Sequence, residues 1–188
     1  MAEIEGVFVD RHGQLLLDFD TGDSRIEEPA APLSIPADAS VIDTLLHRAS
    51  TAERESRLGD AADWYRQALA LEADPIAWFN LGNVLREAGD ESGAVEAFER
   101  AVTMDESFAQ AWYNLADLVD LTEPERAIDC LQRAVAAEPT YADAHFNLAA
   151  ALEEQGRESE STMHWRRYLQ LDSSSEWADH ARRRLGVV

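Results

Sequence analysis

Apolar side chains recur at helical spacing over most of the chain beyond residue 41. Three segments, Trp78-Phe-Asn-Leu81, Trp112-Tyr-Asn-Leu115 and His145-Phe-Asn-Leu148, start 34 and then 33 residues apart. Small residues and large apolar residues follow each segment at matching offsets. A period of this length predicts helices that repeat in pairs along the chain. The matching later positions are Ala94 and Phe98, Ala127 and Leu131, and Ser161 and Trp165, followed by Ala101, Ala134 and Tyr168.

A fainter copy precedes these three, and the pattern therefore predicts four helical pairs. Its members stand 33 residues before their counterparts in the next copy: Leu45, Ala49, Ala61, Tyr65 and Ala68. The predicted repeats span residues 42–74, 75–108, 109–141 and 142–175. Polar breaks with glycine or proline predict the turns inside the later pairs, at Ala88–Asp90, Leu121–Pro124 and Gln155–Arg157.

The second repeat resembles the tetratricopeptide repeat most closely. Trp78, Leu81, Gly82, Ala94 and Phe98 hold the positions of that family's pattern. This repeat departs from the pattern in having Leu85 in place of Tyr and Glu106 in place of Pro, and the third has Ala116 for the glycine but keeps Pro139. The resemblance covers residues 42–175. It implies an all-α, right-handed solenoid that serves as a non-enzymatic protein-interaction module.

Both ends of the chain differ from the repeats. Residues 176–188 carry Trp177, Ala178, Ala181 and Leu185 at helical spacing, which predicts a capping helix over the last repeat. In residues 1–19, Val7–Val9 and Leu15–Phe19 flank the turn Asp10–Gly13, which predicts a short β-hairpin. Residues 20–41 are acidic and contain proline, which is typical of a linker with little fixed structure.

A second resemblance concerns the residues around the repeats. Gly13–Phe19, which precedes the linker, is similar to the region that joins a MerR-type helix-turn-helix to a tetratricopeptide tail in some bacterial regulators. The residues His164–Leu169 and Ser175–Ala178 are similar to parts of such tails. The resemblance implies a bacterial, ligand- or partner-sensing regulatory tail. This chain contains no DNA-reading helix-turn-helix. The tail of a longer regulator and a stand-alone relative both remain open.

The charge of the chain narrows the choice of partner. There are 37 acidic and 16 basic residues, every basic residue is Arg, and the formal net charge is −21. Nucleic acid is a poor partner for such a surface, because phosphate binding needs clustered Lys and Arg. The acidity fits either attraction to a basic partner or a solvated, salt-adapted surface. Without a long apolar stretch or a signal-like N-terminus, we expect a cytoplasmic protein that does not enter the membrane.

The sequence contains little catalytic chemistry, and we predict no enzyme activity, cofactor or metal. A glycine-rich phosphate loop, a His-Glu-x-x-His motif and a Gly-x-Ser-x-Gly elbow are all missing. The five histidines are scattered along the chain, and His145 stands where the two preceding repeats have Trp, which favours a packed histidine over a metal ligand. Cys130 is the single cysteine, and we expect it to be a buried helix residue.

The candidate binding residues come from the first helix of each repeat, which lines the concave groove in the family that this chain resembles. The sixth position of that helix holds His47, Asn80, Asn114 and Asn147. The row is similar to the asparagine ladder of O-GlcNAc transferase repeats. An amide can bond both the C=O and the N–H of an extended peptide. Asparagine serving only the scaffold is the alternative. The full candidate set is His47, Phe79, Asn80, Asn83, Tyr113, Asn114, Asp117, Phe146 and Asn147.

The aromatic members of this set allow two interpretations. Phe79, Tyr113 and Phe146 precede the asparagines by one residue, and they either contact a ligand or pack against neighbouring helices. The groove-facing positions carry more carboxylates than arginines, so we expect a basic-to-neutral peptide or protein partner. A clamp for the C-terminal carboxylate of heat-shock chaperones is disfavoured, because the chain has no Lys. The identity of the partner and the oligomeric state are left open.

Overall fold

A computed structural model describes residues 2–4, 7–9, 15–16, 40–120 and 122–187. The chain divides into two units, residues 1–36 and 37–188. The first contains the strands β1 (Ala2–Ile4), β2 (Val7–Val9) and β3 (Leu15–Leu16), paired antiparallel in the order β1-β2-β3. The predicted turn Asp10–Gly13 and most of the predicted linker lie outside the described residues. The hairpin prediction for residues 1–19 therefore stays a prediction.

The second unit is helical, and its described residues form nine helices. They pack in sequence, each against the next one along the chain. The first eight make four pairs, and the ninth packs against the eighth. The helices are α1 (Val41–Arg54), α2 (Leu58–Leu71), α3 (Pro75–Glu87), α4 (Glu91–Met104), α5 (Ala109–Val119), α6 (Pro124–Ala137), α7 (Ala142–Glu154), α8 (Glu158–Leu171) and α9 (Glu176–Leu185).

Local chemistry sets where these helices begin and end. Ser40 and Asp43 form a capping box at the start of α1. Asp74 caps α3, since its side chain accepts a hydrogen bond from the backbone N–H of Ala77, and Pro75 occupies the first helical position. Gly89 and Gly156 have φ of +82° and +71°, in the left-handed region. Glycine adopts this conformation without steric strain, and it commonly follows the last turn of a helix. The predicted turns at residues 88–90 and 155–157 are confirmed. The third turn lies between α5 and α6 and includes Leu121, which is not described.

The core is built from small residues that let the helices approach and large ones that fill the space beside them. The residues predicted at these positions from Ala94 to Tyr168 are buried. Gly82 shows how close the approach is, because a Cβ atom added there would lie 2.7 Å from Cε1 of Phe98. Cys130 is buried as expected. Helix packing of this kind depends on shape and carries no information about a ligand.

Helix α9 covers one side of α8, as the sequence pattern predicts. Ala178 and Ala181 are fully buried in a cluster with Trp165 and Tyr168. The prediction differs from the structure in one detail, since Trp177 is 55% exposed and lies at the edge of the buried face. Trp177 precedes Ala178 directly, and the side chains of adjacent helical residues point in directions about 100° apart. The rings of Trp177 and Phe146 still meet in a T-shaped contact, with 5.3 Å between centroids and 78° between planes.

Candidate functional site

The asparagine row lies on α3, α5 and α7, and its members are half-buried. The Nδ2 atom of Asn114 donates to Oδ1 of Asn83 at 2.9 Å, which joins α5 to α3. One repeat further on, Nδ2 of Asn147 donates to the hydroxyl oxygen of Tyr113 at 3.0 Å, which joins α7 to α5. Four candidate residues are therefore linked in pairs that bridge consecutive first helices. These bonds use one N–H of each donor amide and leave the other.

Two tyrosine hydroxyls belong to this arrangement, and both have raised pKa values. Burial is the main cause of the raised pKa of Tyr113, the carboxylates of Asp143 and Asp117 add to it, and the bond from Asn147 opposes it. Burial also raises the pKa of Tyr65, whose hydroxyl donates to Glu53 at 3.0 Å, and a hydrogen bond with the Asn80 side chain opposes the shift. Both hydroxyls therefore keep their protons at neutral pH.

The aromatic candidates Phe79 and Phe146 pack between helices. The Phe79 ring lies 4.8 Å from the Phe108 ring between centroids and 5.7 Å from Phe98. Phe146 contacts four rings, with centroid distances of 4.9–5.6 Å to Trp165, Tyr168, Trp177 and His180. Both side chains thus pack against neighbouring elements, and both are half-buried, so their contact with a ligand stays a prediction. His47 lies exposed on α1.

A cavity of about 250 Å³ brings Asn147 together with Asp117. We call it the α5–α7 cavity. Small apolar side chains and Leu131 form part of its wall, and three carboxylates and the Asn147 amide form the rest. One of these is compensated within the chain, since Arg86 Nη1 lies 3.5 Å from Asp117. Its lining residues are Ala116, Asp117, Asp120, Leu131, Asn147, Ala150, Ala151 and Glu154.

Sequence reasoning missed one contact between titratable residues. His145 is buried, as predicted, but its Nδ1 atom lies 2.9 Å from Nδ1 of His164 on α8. The two residues are 19 positions apart, and no local motif marks them as neighbours. Within the described parts of the chain, no group of three or more His, Cys, Asp or Glu side chains is placed to hold a metal ion.

Comparison with known proteins decides the family. A sequence model described as "Tetratricopeptide repeat" matches residues 46–107 and 79–122, and one described as "TPR repeat" matches residues 123–156, together more than half of the chain. This chain is a tetratricopeptide-repeat protein. Repeat arrays of this kind present extended surfaces on which proteins or peptides bind. The resemblance to MerR-type regulator tails stays a prediction.

Two curated relatives of this repeat protein are mammalian. It is 37% identical over 75 residues to "Protein O-mannosyl-transferase TMTC3" of Homo sapiens, which covers 39% of this chain and 8% of that protein. The Mus musculus protein of the same name is 38% identical over 63 residues, or 33% of this chain and 7% of the relative. The chain thus spans less than a tenth of the length of these relatives, and their transferase activity is a property of those longer proteins.

Solved structures show the same fold at low sequence identity. A MamA protein aligns with a TM-score of 0.68 and 20% identity, over 78% of this chain and 83% of that one. YrrB, described as a TPR protein with an unusual peptide-binding site, has a TM-score of 0.64 and 17% identity, over 78% and 77%. A repeat protein from Parabacteroides merdae has a TM-score of 0.70 and 17% identity, over 77% and 58%. None of the helices among the described residues has the length and apolarity needed to cross a membrane.

Proposed function

We propose that this tetratricopeptide-repeat protein is an interaction scaffold that binds an extended segment of another protein along its first helices, α1, α3, α5 and α7. The observation that carries the proposal is the row of amides on three of these helices, which recurs at the repeat period and is half-buried. The proposal includes the repeat boundaries 42–74, 75–108, 109–141 and 142–175, since each range holds one helix pair except for Val41, the first residue of α1. Binding, with no catalytic step, is the proposed activity.

Hydrogen bonding supports this use of the row. Asn114 and Asn147 each spend one N–H on a neighbouring first helix, which fixes the orientation of the amide. The second N–H and the amide oxygen keep bonding capacity for a peptide N–H or C=O. Tyr113 accepts from Asn147 and keeps its own O–H to donate. A fixed donor costs less entropy on binding than a mobile one. The scaffold role and the binding role of these side chains are therefore compatible.

The charge of the α5–α7 cavity supports a basic-to-neutral partner. Asp117, Asp120 and Glu154 line it, and Arg86 pairs with the first of them. A cationic side chain of a partner would gain Coulomb attraction there, and its aliphatic part would contact the apolar wall. Acidic partners and nucleic acid would be repelled.

The proposal is tested with the triple variant Asn80→Ala, Asn114→Ala and Asn147→Ala. The probe is a panel of extended peptides of one length that carry arginines, neutral residues or aspartates, measured by fluorescence anisotropy. We expect binding of the arginine and neutral peptides to weaken about tenfold or more, since each lost bond is worth about 0.5–1.5 kcal/mol. Higher salt should weaken only the arginine peptide further.

The matched control is Gln132→Ala, which removes an exposed amide from the second helix α6. This variant should bind as the wild type does. If the triple variant binds normally while remaining folded, or if the aspartate peptide binds as well as the arginine peptide, the proposed groove is wrong.

A further inference from the structure

A second cavity, among the described residues, differs in charge from the α5–α7 cavity. It has a volume of about 450 Å³ and lies along α8, with one wall from the start of α7. We call it the α8 pocket. Its lining contains two arginines, two histidines and two hydroxyl side chains, and no carboxylate, although carboxylates outnumber basic residues 37 to 16 in the chain. The polar side chains of its lining include His145, Ser159, Thr162, His164, Arg166 and Arg167.

The two arginines of this pocket are not neutralised by the residues around them. In the part of the chain that the structure describes, nine arginines lie within 4 Å of a carboxylate, and neither Arg166 nor Arg167 is among them. Helix α8 carries two carboxylates, Glu158 and Glu160, and neither lines the pocket. Glu160 accepts two bonds from Arg157, at 2.9 and 2.8 Å, and its negative charge also favours the protonated form of His164. Both guanidinium groups of the pocket therefore remain available to pair with an anion.

Arg167 is held in place by neutral acceptors. Its Nε and Nη2 atoms donate to the carbonyl oxygen of Pro139 at 3.3 and 3.0 Å, and Nη1 donates to Oε1 of Gln170 at 3.1 Å. A guanidinium has five N–H donors, so two remain for a ligand. Because the side chain is already oriented, an incoming anion would pay little entropy to fix it.

The histidine pair has one neutral arrangement that satisfies its contacts. His145 Nε2 lies 3.3 Å from the Pro139 carbonyl oxygen, which can only accept, so this nitrogen carries the proton. The Nδ1 atom of His145 is then the acceptor in its 2.9 Å contact with His164, which donates from its own Nδ1. A proton added to Nε2 of His164 would leave both bonds intact. The pair is therefore neutral or positive, and it does not oppose an anion.

A metal ion is the competing occupant, and the charges argue against it. Two imidazoles could contribute ligands, but Arg166 and Arg167 line the same space and would repel a cation. We propose that the α8 pocket binds a phosphate-class oxyanion, with the two guanidinium groups supplying charge and the hydroxyls of Ser159 and Thr162 completing the donors. Donors on several side chains suit the many oxygens of phosphate better than the two of a carboxylate.

The net charge of −21 does not preclude such a site. Charges farther away than the Debye length, about 8 Å at physiological ionic strength, are largely screened. The site is separate from the asparagine row and does not depend on the proposed peptide binding.

The test uses the full chain, labelled with ¹⁵N, and follows the backbone amides of α8 and the ring nitrogens of His164 by NMR at about pH 7.5 and constant ionic strength. Inorganic phosphate should produce saturable shifts confined to the α8 pocket, whereas acetate and chloride should not. Arg166→Gln should weaken phosphate binding about tenfold or more. The matched control is Arg183→Gln, which removes an exposed arginine of α9 and should leave binding unchanged.

The source of the anion is distinguished by a second arm. A peptide that contains phosphoserine is compared with its unphosphorylated form and with free phosphate. Tighter binding of the phosphopeptide than of phosphate would assign the site to a phosphorylated partner, and equal binding would assign it to the free anion.

The proposal is overturned if acetate shifts the same residues as phosphate, if phosphate causes no saturable shift, or if folded Arg166→Gln binds normally. Should Arg166→Gln lose its native circular dichroism, Ser159→Ala with Thr162→Val replaces it, with the same expected direction.

Discussion

The side-chain amide of Asn147 on α7 donates to the hydroxyl oxygen of Tyr113 on α5 across 3.0 Å, and so joins the first helices of two consecutive repeats. A double-mutant cycle isolates this bond. Asn147→Ala and Tyr113→Phe should show a coupling of about 0.5–1.5 kcal/mol in the free energy of unfolding, measured by urea denaturation. Combining Asn114→Ala with Tyr113→Phe provides the control, since Asn114 donates to Asn83 instead. Equal coupling in both cycles would contradict a specific bond.

Gly82→Ala should destabilise the protein by about 1–3 kcal/mol, because the new methyl group would lie 2.7 Å from the fully buried Phe98 ring. The control is Gly59→Ala in α2, where an added Cβ meets nothing within 4 Å and should be neutral or stabilising. Both are measured by thermal and urea unfolding.

A second substitution should relieve the same clash. The third repeat has Ala116 and Leu131 at the positions of Gly82 and Phe98. We therefore expect Gly82→Ala combined with Phe98→Leu to be more stable than the sum of the two single changes predicts. Strict additivity would show that the contact between this pair does not limit the packing.

The histidine pair should make stability depend on pH. Burial lowers the pKa of both His145 and His164 below 6.5. The positive charge of Arg167 also lowers the pKa of His145, whereas its hydrogen bond with the Pro139 carbonyl raises it. The charge of His145 also lowers the pKa of His164, whereas the carboxylate of Glu160 raises it. Below about pH 6.5 the unfolded chain then binds more protons than the native protein, so the free energy of unfolding falls as pH falls through this window.

The variant His164→Gln should lessen this fall while leaving the contributions of the many carboxylates in place. The measurement is the urea midpoint at about pH 8 and about pH 5.5 for the wild type and the variant. An equal change of midpoint in both proteins would mean that the pair does not couple to folding.

Cys130 should react with thiol reagents only after the protein opens. Burial raises the pKa of this thiol to about 11, and the residue is 2% exposed. Reaction needs the thiolate and access to it, and the native state supplies little of either. We expect slow labelling by a disulfide reagent at about pH 8 and rapid, complete labelling in denaturant. Rapid labelling of the native protein would contradict the packing of α6.

Most of the helical unit could be predicted from sequence because its determinants are local. The repeated offsets between Trp78, Ala94 and Phe98 and their counterparts define the helix pairs, since a helix must bury one face and a repeat of fixed length must bury the same face each time. Gly89 and Gly156 fix two of the turns through their left-handed backbone. The same patterns correctly predicted that Cys130 and His145 would be buried.

Only the tertiary structure decided what these side chains touch. The sequence placed Asn114 and Asn147 in one row, but their partners, Asn83 and Tyr113, depend on how neighbouring first helices lie against each other. Phe79 and Phe146 could face a ligand or a helix, and only the structure shows which rings of neighbouring elements each one contacts. The His145–His164 contact and the carboxylate-free pocket beside it arise because the packing of α7 on α8 brings together residues far apart in sequence. Helical periodicity determines which face a residue occupies, whereas the approach of two helices determines which atoms of those faces meet.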